Sequence, residues 1–360
     1  MKTLRYGLLV LLALTGLVGC DEIPVADTGE DRIVATGAEV TLDGSGSTGL
    51  GPLAYRWELT PPEYSTATLS CDDSITPVFT PDVPGRYTVR LVVSNLFMES
   101  VPDEQVVVAA PAGQCLYRPL PRKNPRLRVF CFPYAGQGAQ IYDPWLSHLG
   151  EDVELVSVMF PGRFYRDGEA AFTLLDDIVD EVCRDITPLT DVPFVFFGHC
   201  MGALIGFEVA DRLEEQGLPR PFHLVMSGTP APQLPVYGQR PPLHNLPEEP
   251  FIAFLLQIGL IDQEMADHKE DHAELFSWIR SDFEMVDTWA YTPGMIVQSP
   301  ITALGGEEDM AATHDQILAW QEVTEGGFAC RMFPGEHFFI DSSREDVLAI
   351  LNAILDDRRE

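Results

Sequence analysis

Three side chains suited to nucleophilic chemistry stand in three separated stretches of this 360-residue chain. The first is Cys200, in Gly198-His199-Cys200-Met201-Gly202, after the apolar run Phe194-Val195-Phe196-Phe197 and before a helical pattern at 203–213. A nucleophile with glycine two residues away on either side, between a buried strand and a helix, marks a sharp turn that lifts the side chain off the sheet edge. The usual residue at its centre is Ser; here it is Cys. The helix N-terminus behind the sulfur favours negative charge, both on a thiolate and on an oxyanion. In this context the acid and then the base follow along the chain. Ile301-Thr302-Ala303-Leu304 leads into Gly305-Gly306-Glu307-Glu308-Asp309, and Cys330-Arg331-Met332-Phe333 leads into Pro334-Gly335-Glu336-His337. The reading is Cys200 as nucleophile, His337 as general base and Asp309 as the group that fixes the imidazole tautomer. Glu307 and Glu308 are neighbours able to take Asp309's place. Two backbone N–H groups would hold the oxyanion: Met201, next to the nucleophile, and Ala135 in the loop 132–138, with Tyr134 as the alternative to Ala135.

Positioning these groups requires a sheet whose strands all end on one side. Buried strand patterns at 127–131, 153–158, 194–197, 224–226, 301–304 and 330–333 alternate with helical patterns such as 174–183 and 203–216. That alternation predicts an α/β fold with a mostly parallel sheet covered on both faces, over 127–356. Phe251 to Leu256 and the aromatics Trp278, Phe283, Trp289 and Tyr291 are candidates to line an acyl channel or to form ordinary core. Arg163 and Arg166 are read as lying near the mouth of the site or in surface salt bridges. His199 is read as packing, and His244 has no assigned role. Cys131, Cys183 and Cys330 read as small buried hydrophobes.

At this point the domain resembles the type II thioesterases that accompany polyketide and nonribosomal peptide synthases. The resemblance rests on Phe130-Cys131-Phe132-Pro133-Tyr134-Ala135-Gly136, Pro161-Gly162-Arg163 with Arg166, and the stretch 193–203. It continues through His223-Leu224 with Ser227-Gly228, Pro300-Ile301-Thr302-Ala303 with Gly305-Gly306 and Asp309, and Phe333-Pro334-Gly335 with His337-Phe338-Phe339. It implies an α/β-hydrolase fold with a helical lid at about 244–291, and hydrolysis of acyl thioesters on phosphopantetheine arms of carrier proteins. Three departures stand out: Cys200 for the usual Ser, Gln137 within the glycine run, and Thr229-Pro230 where the family usually has arginines. An acyl-Cys is itself a thioester and stays activated toward a thiol or amine. Acyl or aminoacyl transfer is therefore the second reading after hydrolysis, and a non-catalytic envelope binding protein on a hydrolase fold is the third.

The N-terminal part is of another kind. Lys2 and Arg5 precede an apolar run from Leu8 to Val18, which reads as an export signal and is too short to span a bilayer well. Leu17-Val18-Gly19-Cys20 resembles the lipobox of bacterial lipoproteins, which implies cleavage before Cys20 and diacylglycerol on its sulfur. That places the protein in the cell envelope, anchored to a membrane and facing the periplasm or the exterior. After a linker at 21–30, residues 31–110 show short alternating runs broken by turn residues, the pattern of a small β-sandwich. Val40-Thr41-Leu42-Asp43-Gly44-Ser45-Gly46-Ser47, Tyr55-Arg56-Trp57-Glu58-Leu59 and Thr80-Pro81-Asp82-Val83-Pro84-Gly85-Arg86-Tyr87-Thr88-Val89-Arg90-Leu91 resemble a PKD-type (polycystic kidney disease) domain, with Trp57 in its core. A Pro-rich connector covers 111–126. A bridge between Cys71 and Cys115 is permitted by an oxidising compartment and is left open.

Composition narrows the partners. With 23 Lys+Arg against 55 Asp+Glu, the net charge of −32 argues against nucleic acid and against electrostatic docking on anionic lipid. Seven cysteines without a CxxC pair argue against a zinc ribbon. His268 and His272 are four apart, the spacing of a helical metal pair, but their charged surroundings read as a solvated lid helix. Neither a cofactor nor a metal is expected.

Overall fold

The computed structural model describes residues 23–29, 31–62, 65–83, 85–110, 115–167, 169–234 and 242–358. The leader and Cys20 lie outside the described residues. The N-terminal unit contains β1 (Arg32–Ala35), β2 (Val40–Thr41), β3 (Ala54–Thr60), β4 (Val78–Phe79), β5 (Gly85–Ser94) and β6 (Asp103–Ala110). One sheet runs in the order β1-β6-β5-β3, and β2 pairs with β4 separately. Strand geometry sends alternate side chains to opposite faces, so Tyr87, Val89, Leu91 and Val93 of β5 are buried while Arg86 and Arg90 point out. Trp57 fills the space between the two layers with Leu42 and Phe79, and its indole N–H donates to the Ser74 carbonyl at 2.9 Å. The segment 23–29, read from sequence as linker, belongs to this unit. Pro24, Ala26 and Thr28 are buried in alternation, and both the amide and the hydroxyl of Thr28 donate to Asp103.

The second unit has a seven-stranded sheet: β7 (Leu116–Tyr117), β8 (Leu127–Phe132), β9 (Val153–Val158), β10 (Phe194–His199), β11 (His223–Ser227), β12 (Ile301–Gly306) and β13 (Phe328–Phe333), in the order β13-β12-β11-β10-β8-β9-β7. All neighbours are parallel except β7, which runs antiparallel to β9. β8, β9, β10 and β12 are buried at every position, as a sheet covered on both faces requires. One cover is α1 (Leu175–Ile186) and α2 (Met201–Glu215), and the other includes α8 (Arg344–Asp356) through Leu348, Leu351 and Leu355. Strand β7 lies inside the Pro-rich stretch and is too short for periodicity to reveal. Tyr117 packs with Ala139, Met159 and Val106 of β6 where the two units meet. Cys71 is exposed, Cys115 is buried, and both are free thiols.

Between β11 and β12 stand α3 (Glu248–Gln257), α4 (Gln263–Asp267) and α5 (Ala273–Thr288), with their own core of Phe251, Leu255, Ile258, Ile279 and Phe283. His268 and His272 fall in the turn between α4 and α5 rather than on one helical face, so they form no i,i+4 pair. Among the described residues no three His, Cys, Asp or Glu side chains gather as a metal-ligand set. Trp289 and Tyr291 pack on the main core rather than in the lid. The short helices α6 (His314–Leu318) and α7 (Phe339–Ser342) complete the set. No described helix is long and apolar enough to cross a membrane.

Candidate active site

Strand β10 delivers Cys200 at its C-terminal end, directly before α2. Cys200 sits at φ 54° and ψ −123°, a conformation that an L residue adopts only at a cost of about 1–3 kcal/mol. The flanking glycines make this turn possible. A Cβ on Gly198 would come within 2.3 Å of the Gly202 carbonyl oxygen, and one on Gly202 within 2.0 Å of the Phe132 carbonyl oxygen. The strand-turn-helix therefore packs backbone against backbone, and the Cys200 side chain is turned outward. Met201 is the first residue of α2, where a backbone N–H has no acceptor within the helix.

Strands β12 and β13 run parallel to β10 in the same sheet, with β11 between, and end on the same side. Asp309 lies in the loop after β12, and His337 in the loop after β13. A Cβ on Gly306 would lie 2.5 Å from the Glu336 carbonyl oxygen, so the glycine lets the two loops close on each other. His337 Nδ1 lies 2.8 Å from Asp309 Oδ2, with both residues buried. The other Asp309 oxygen accepts the Ala311 amide at 2.7 Å. Glu308 turns away to the Gly335 amide and Glu307 is exposed, so of the three neighbouring acids only Asp309 meets the imidazole. Burial works against a charged His337, but the charge of Cys200 and the hydrogen bond that His337 donates to Asp309 outweigh it and raise the pKa to about 10. Cys200 and His337 share one cavity with Met201, Leu204, Gly228, Thr229, Pro230, Phe254, Ile258, Phe283 and Val286. This sulfur, imidazole and carboxylate have the chemistry for nucleophilic attack on an acyl carbon.

Ala135 is buried in the loop after β8 and is followed by Gly136 at φ 77°. The Gly136 amide donates to Asp282 of α5 at 2.7 Å, and the same carboxylate takes Arg163 Nη1 at 2.9 Å and Nη2 at 2.5 Å. Arg163 also donates to the Gln137 carbonyl at 3.2 Å. Arg163 and Asp282 are both buried. Arg163 is therefore neither at the mouth nor in a surface bridge: it ties the lid to the loop that carries Ala135. Arg166 is buried too, held by Glu169, Glu181 and the Met159 carbonyl. His199 packs against His337, Tyr134 and Phe338, with Nδ1 2.9 Å from Ser227 Oγ. Burial first, then the nearby His337 charge, push its pKa well down. His244 bonds Asp287 at 2.9 Å and so pins the start of the lid to α5. Cys131 and Cys183 are buried, and Cys330 is half-buried.

Against known protein families, residues 127–355 match the thioesterase domain. The chain belongs to the thioesterase family. It is accordingly a hydrolase with the α/β-hydrolase fold, of the type II kind associated with nonribosomal peptide and polyketide synthase clusters. The domain is 36% identical over 226 residues to the gramicidin S biosynthesis protein GrsT of Aneurinibacillus migulanus, covering 63% of this chain and 88% of that protein. It is 31% identical to the human medium-chain S-acyl fatty acid synthase thioesterase, over 65% of this chain and 88% of that one. Among solved structures, the type II thioesterase BorB from the borrelidin biosynthetic cluster aligns with a TM-score of 0.58 at 28% identity, over 66% of this chain and 94% of that one. RedJ of Streptomyces coelicolor, a thioesterase of the prodiginine pathway, aligns at 0.59 with 32% identity, over 66% and 91%.

Sequence reasoning on the thioesterase domain missed Asp282. Its signal was present: an acid on the buried stripe of α5, amid Ile279, Phe283 and Val286. It also missed Leu204, Ile258 and Val286 as cavity walls, because an apolar residue at helical spacing looks the same in a core and in a pocket.

Proposed function

We propose that the domain is an acyl-thioester hydrolase working through Cys200, His337 and Asp309 by way of an acyl-Cys200 intermediate. The observation that carries this is His337, bonded behind to the buried Asp309, in one cavity with a cysteine on a strained strand-to-helix turn. The Cys200 thiolate attacks the thioester carbon, and the oxygen becomes an oxyanion held by the N–H groups of Met201 and Ala135. Collapse expels the leaving thiolate, which takes the proton from His337 Nε2. Water then enters, His337 Nε2 removes its proton, and hydroxide attack on the acyl-Cys releases the carboxylic acid and restores the thiolate. Asp309 holds the imidazole so that Nε2 faces this chemistry throughout.

The cavity at the sulfur measures about 90 Å³. Pockets for drug-sized ligands run to roughly 300–1,000 Å³, so with the lid in this position the site admits a short acyl group and a long one requires α3 and α5 to move. The thiol half of the substrate is proposed to be a phosphopantetheine arm on a carrier protein, or an envelope thioester of similar reach. The cysteine favours transfer as a second reading, since an acyl-Cys retains thioester activation. The leader motif supports an exported protein anchored through a diacylglycerol on Cys20, and the N-terminal unit supports a PKD-like spacer. The test is release of thiol from short acyl thioesters with mass-spectrometric trapping of the acyl group. Cys200→Ala should abolish both release and adduct. Unchanged release by that variant refutes the mechanism, and faster turnover on adding an amine or thiol acceptor selects transfer over hydrolysis.

A further inference from the structure

One end of the β unit is apolar and uncovered. Ile23, Val25, Leu50, Leu96, Phe97 and Val101 are between 53% and 85% exposed. Strand pairing brings these separate segments together. The turn between β5 and β6 is closed by the Ser94–Glu99 bridge and by Asn95, whose side chain accepts the Phe97 and Met98 amides at 2.9 Å each. Ala54 pairs with Ser94, which sets the turn before β3, with Leu50, beside that tip. Val25 bridges Thr48, and a Cβ on Gly49 would lie 3.3 Å from Pro24.

The first described residues belong to the same end. Thr28 bonds Asp103, Asp31 bonds Val106 and Arg32 pairs with Val107 in parallel, each pair 75 residues apart. Asp103 is the first residue of β6, so the chain before Thr28 runs on past that end of the strand, where Val25 bridges Thr48. The chain leaves β6 at its opposite end, Ala110, for the catalytic unit. The turn at Asn95 needs no apolar residue to form, so Leu96 and Phe97 serve nothing inside the unit.

Only Asp21 and Glu22 separate Ile23 from Cys20. An extended chain covers at most ~3.5 Å per residue, so the Cys20 Cα lies within about 11 Å of that of Ile23. Acyl chains on Cys20 would enter a bilayer alongside the tip. The contact is apolar rather than electrostatic: the net charge is −32, and the one acid in the turn, Glu99, is 3.7 Å from Arg56. We propose that this end of the β unit is a membrane-seating surface, with Leu96 and Phe97 at the headgroup–acyl boundary of a phospholipid bilayer and the unit standing between bilayer and catalytic site. The proposal rests on the reading of Cys20 as the anchor.

The test uses the full chain purified from membranes and reconstituted in phosphatidylcholine vesicles, with Phe97→Trp on the tip and Ile296→Trp on the catalytic unit as reporters. Difference spectra against the parent protein remove the native tryptophans. Brominated acyl chains should quench the Phe97→Trp signal at least about threefold more than the Ile296→Trp signal, with a blue shift only at the tip. Equal quenching at the two positions overturns the proposal, even if the protein remains on the vesicles. The mass of the N-terminal peptide reports the anchor separately: an unmodified Cys20 refutes lipidation, and the tip is then judged by the same quenching ratio on the unmodified chain. Leu96→Ser with Phe97→Ser, both on exposed positions, should leave thioester hydrolysis unchanged while lowering vesicle partitioning of the unlipidated chain by roughly tenfold or more.

Discussion

Replacing Asp282 by Asn tests whether the lid holds the oxyanion loop. The carboxylate is buried between the Arg163 guanidinium and the Gly136 amide. Asn keeps the shape and one acceptor oxygen but leaves the guanidinium without its counter-charge. Removing one partner of a buried ion pair costs about 3–5 kcal/mol. For a domain of this size each 1 kcal/mol moves Tm by about 2–4 °C, so a fall of roughly 6–20 °C is expected. The catalytic effect is separable. Gly136 follows Ala135, and a misplaced oxyanion donor slows acyl transfer by about 10²–10³. Asp282 does not line the cavity, so KM should stay within about threefold while kcat falls. The assay is single-turnover thiol release at low temperature, where the variant is folded, with urea unfolding measured in parallel. A folded Asp282→Asn protein that acylates within about threefold of wild type would show that the Arg163–Asp282–Gly136 linkage stabilises the lid without serving catalysis.

Gly202→Ala places a methyl 2.0 Å from the Phe132 carbonyl oxygen, so the turn cannot form as it stands; thiol release should vanish, and normal activity in this variant would disprove the close backbone packing. His337 should keep its proton to about pH 10, and Cys200→Ala should shift its titration down, because burial then opposes the charge with only Asp309 to resist it. NMR of the imidazole resonances reads this directly, and an unmoved titration refutes the coupling. Glu208 has its pKa raised from 4.5 to about 7, by burial first, with Trp289 donating to it at 2.9 Å. The folded state then binds the extra proton between those values, so stability falls as pH rises from about 4.5 to 7 and stays lowered above, by up to about 3 kcal/mol. Glu208→Gln should flatten that slope in urea unfolding at pH 5 and pH 8, and an unaltered slope would assign it to other groups.

Much of the catalytic unit was legible from local pattern. Predominantly apolar runs at β8, β9, β10 and β12 announce strands covered on both faces, and the two charges inside them, Arg128 of β8 and Glu154 of β9, are buried as a pair. Glycine at 198 and 202 announces the turn, because nothing larger fits against Gly202 and Phe132. The order of Cys200, Asp309 and His337 follows from strands that end on one side. What sequence could not decide was any choice between near neighbours or any pairing across the chain. Asp309 rather than Glu307 or Glu308 meets the imidazole because the loop after β12 turns back on Gly306. Arg163 reaches Asp282 across 119 residues, and Thr28 reaches Asp103 across 75, through contacts that exist only once the chain is packed. Local propensity records how each segment prefers to fold. The partners of a buried charge, and the company kept by an exposed Phe97, are set by which distant segments the whole chain brings within a few ångströms.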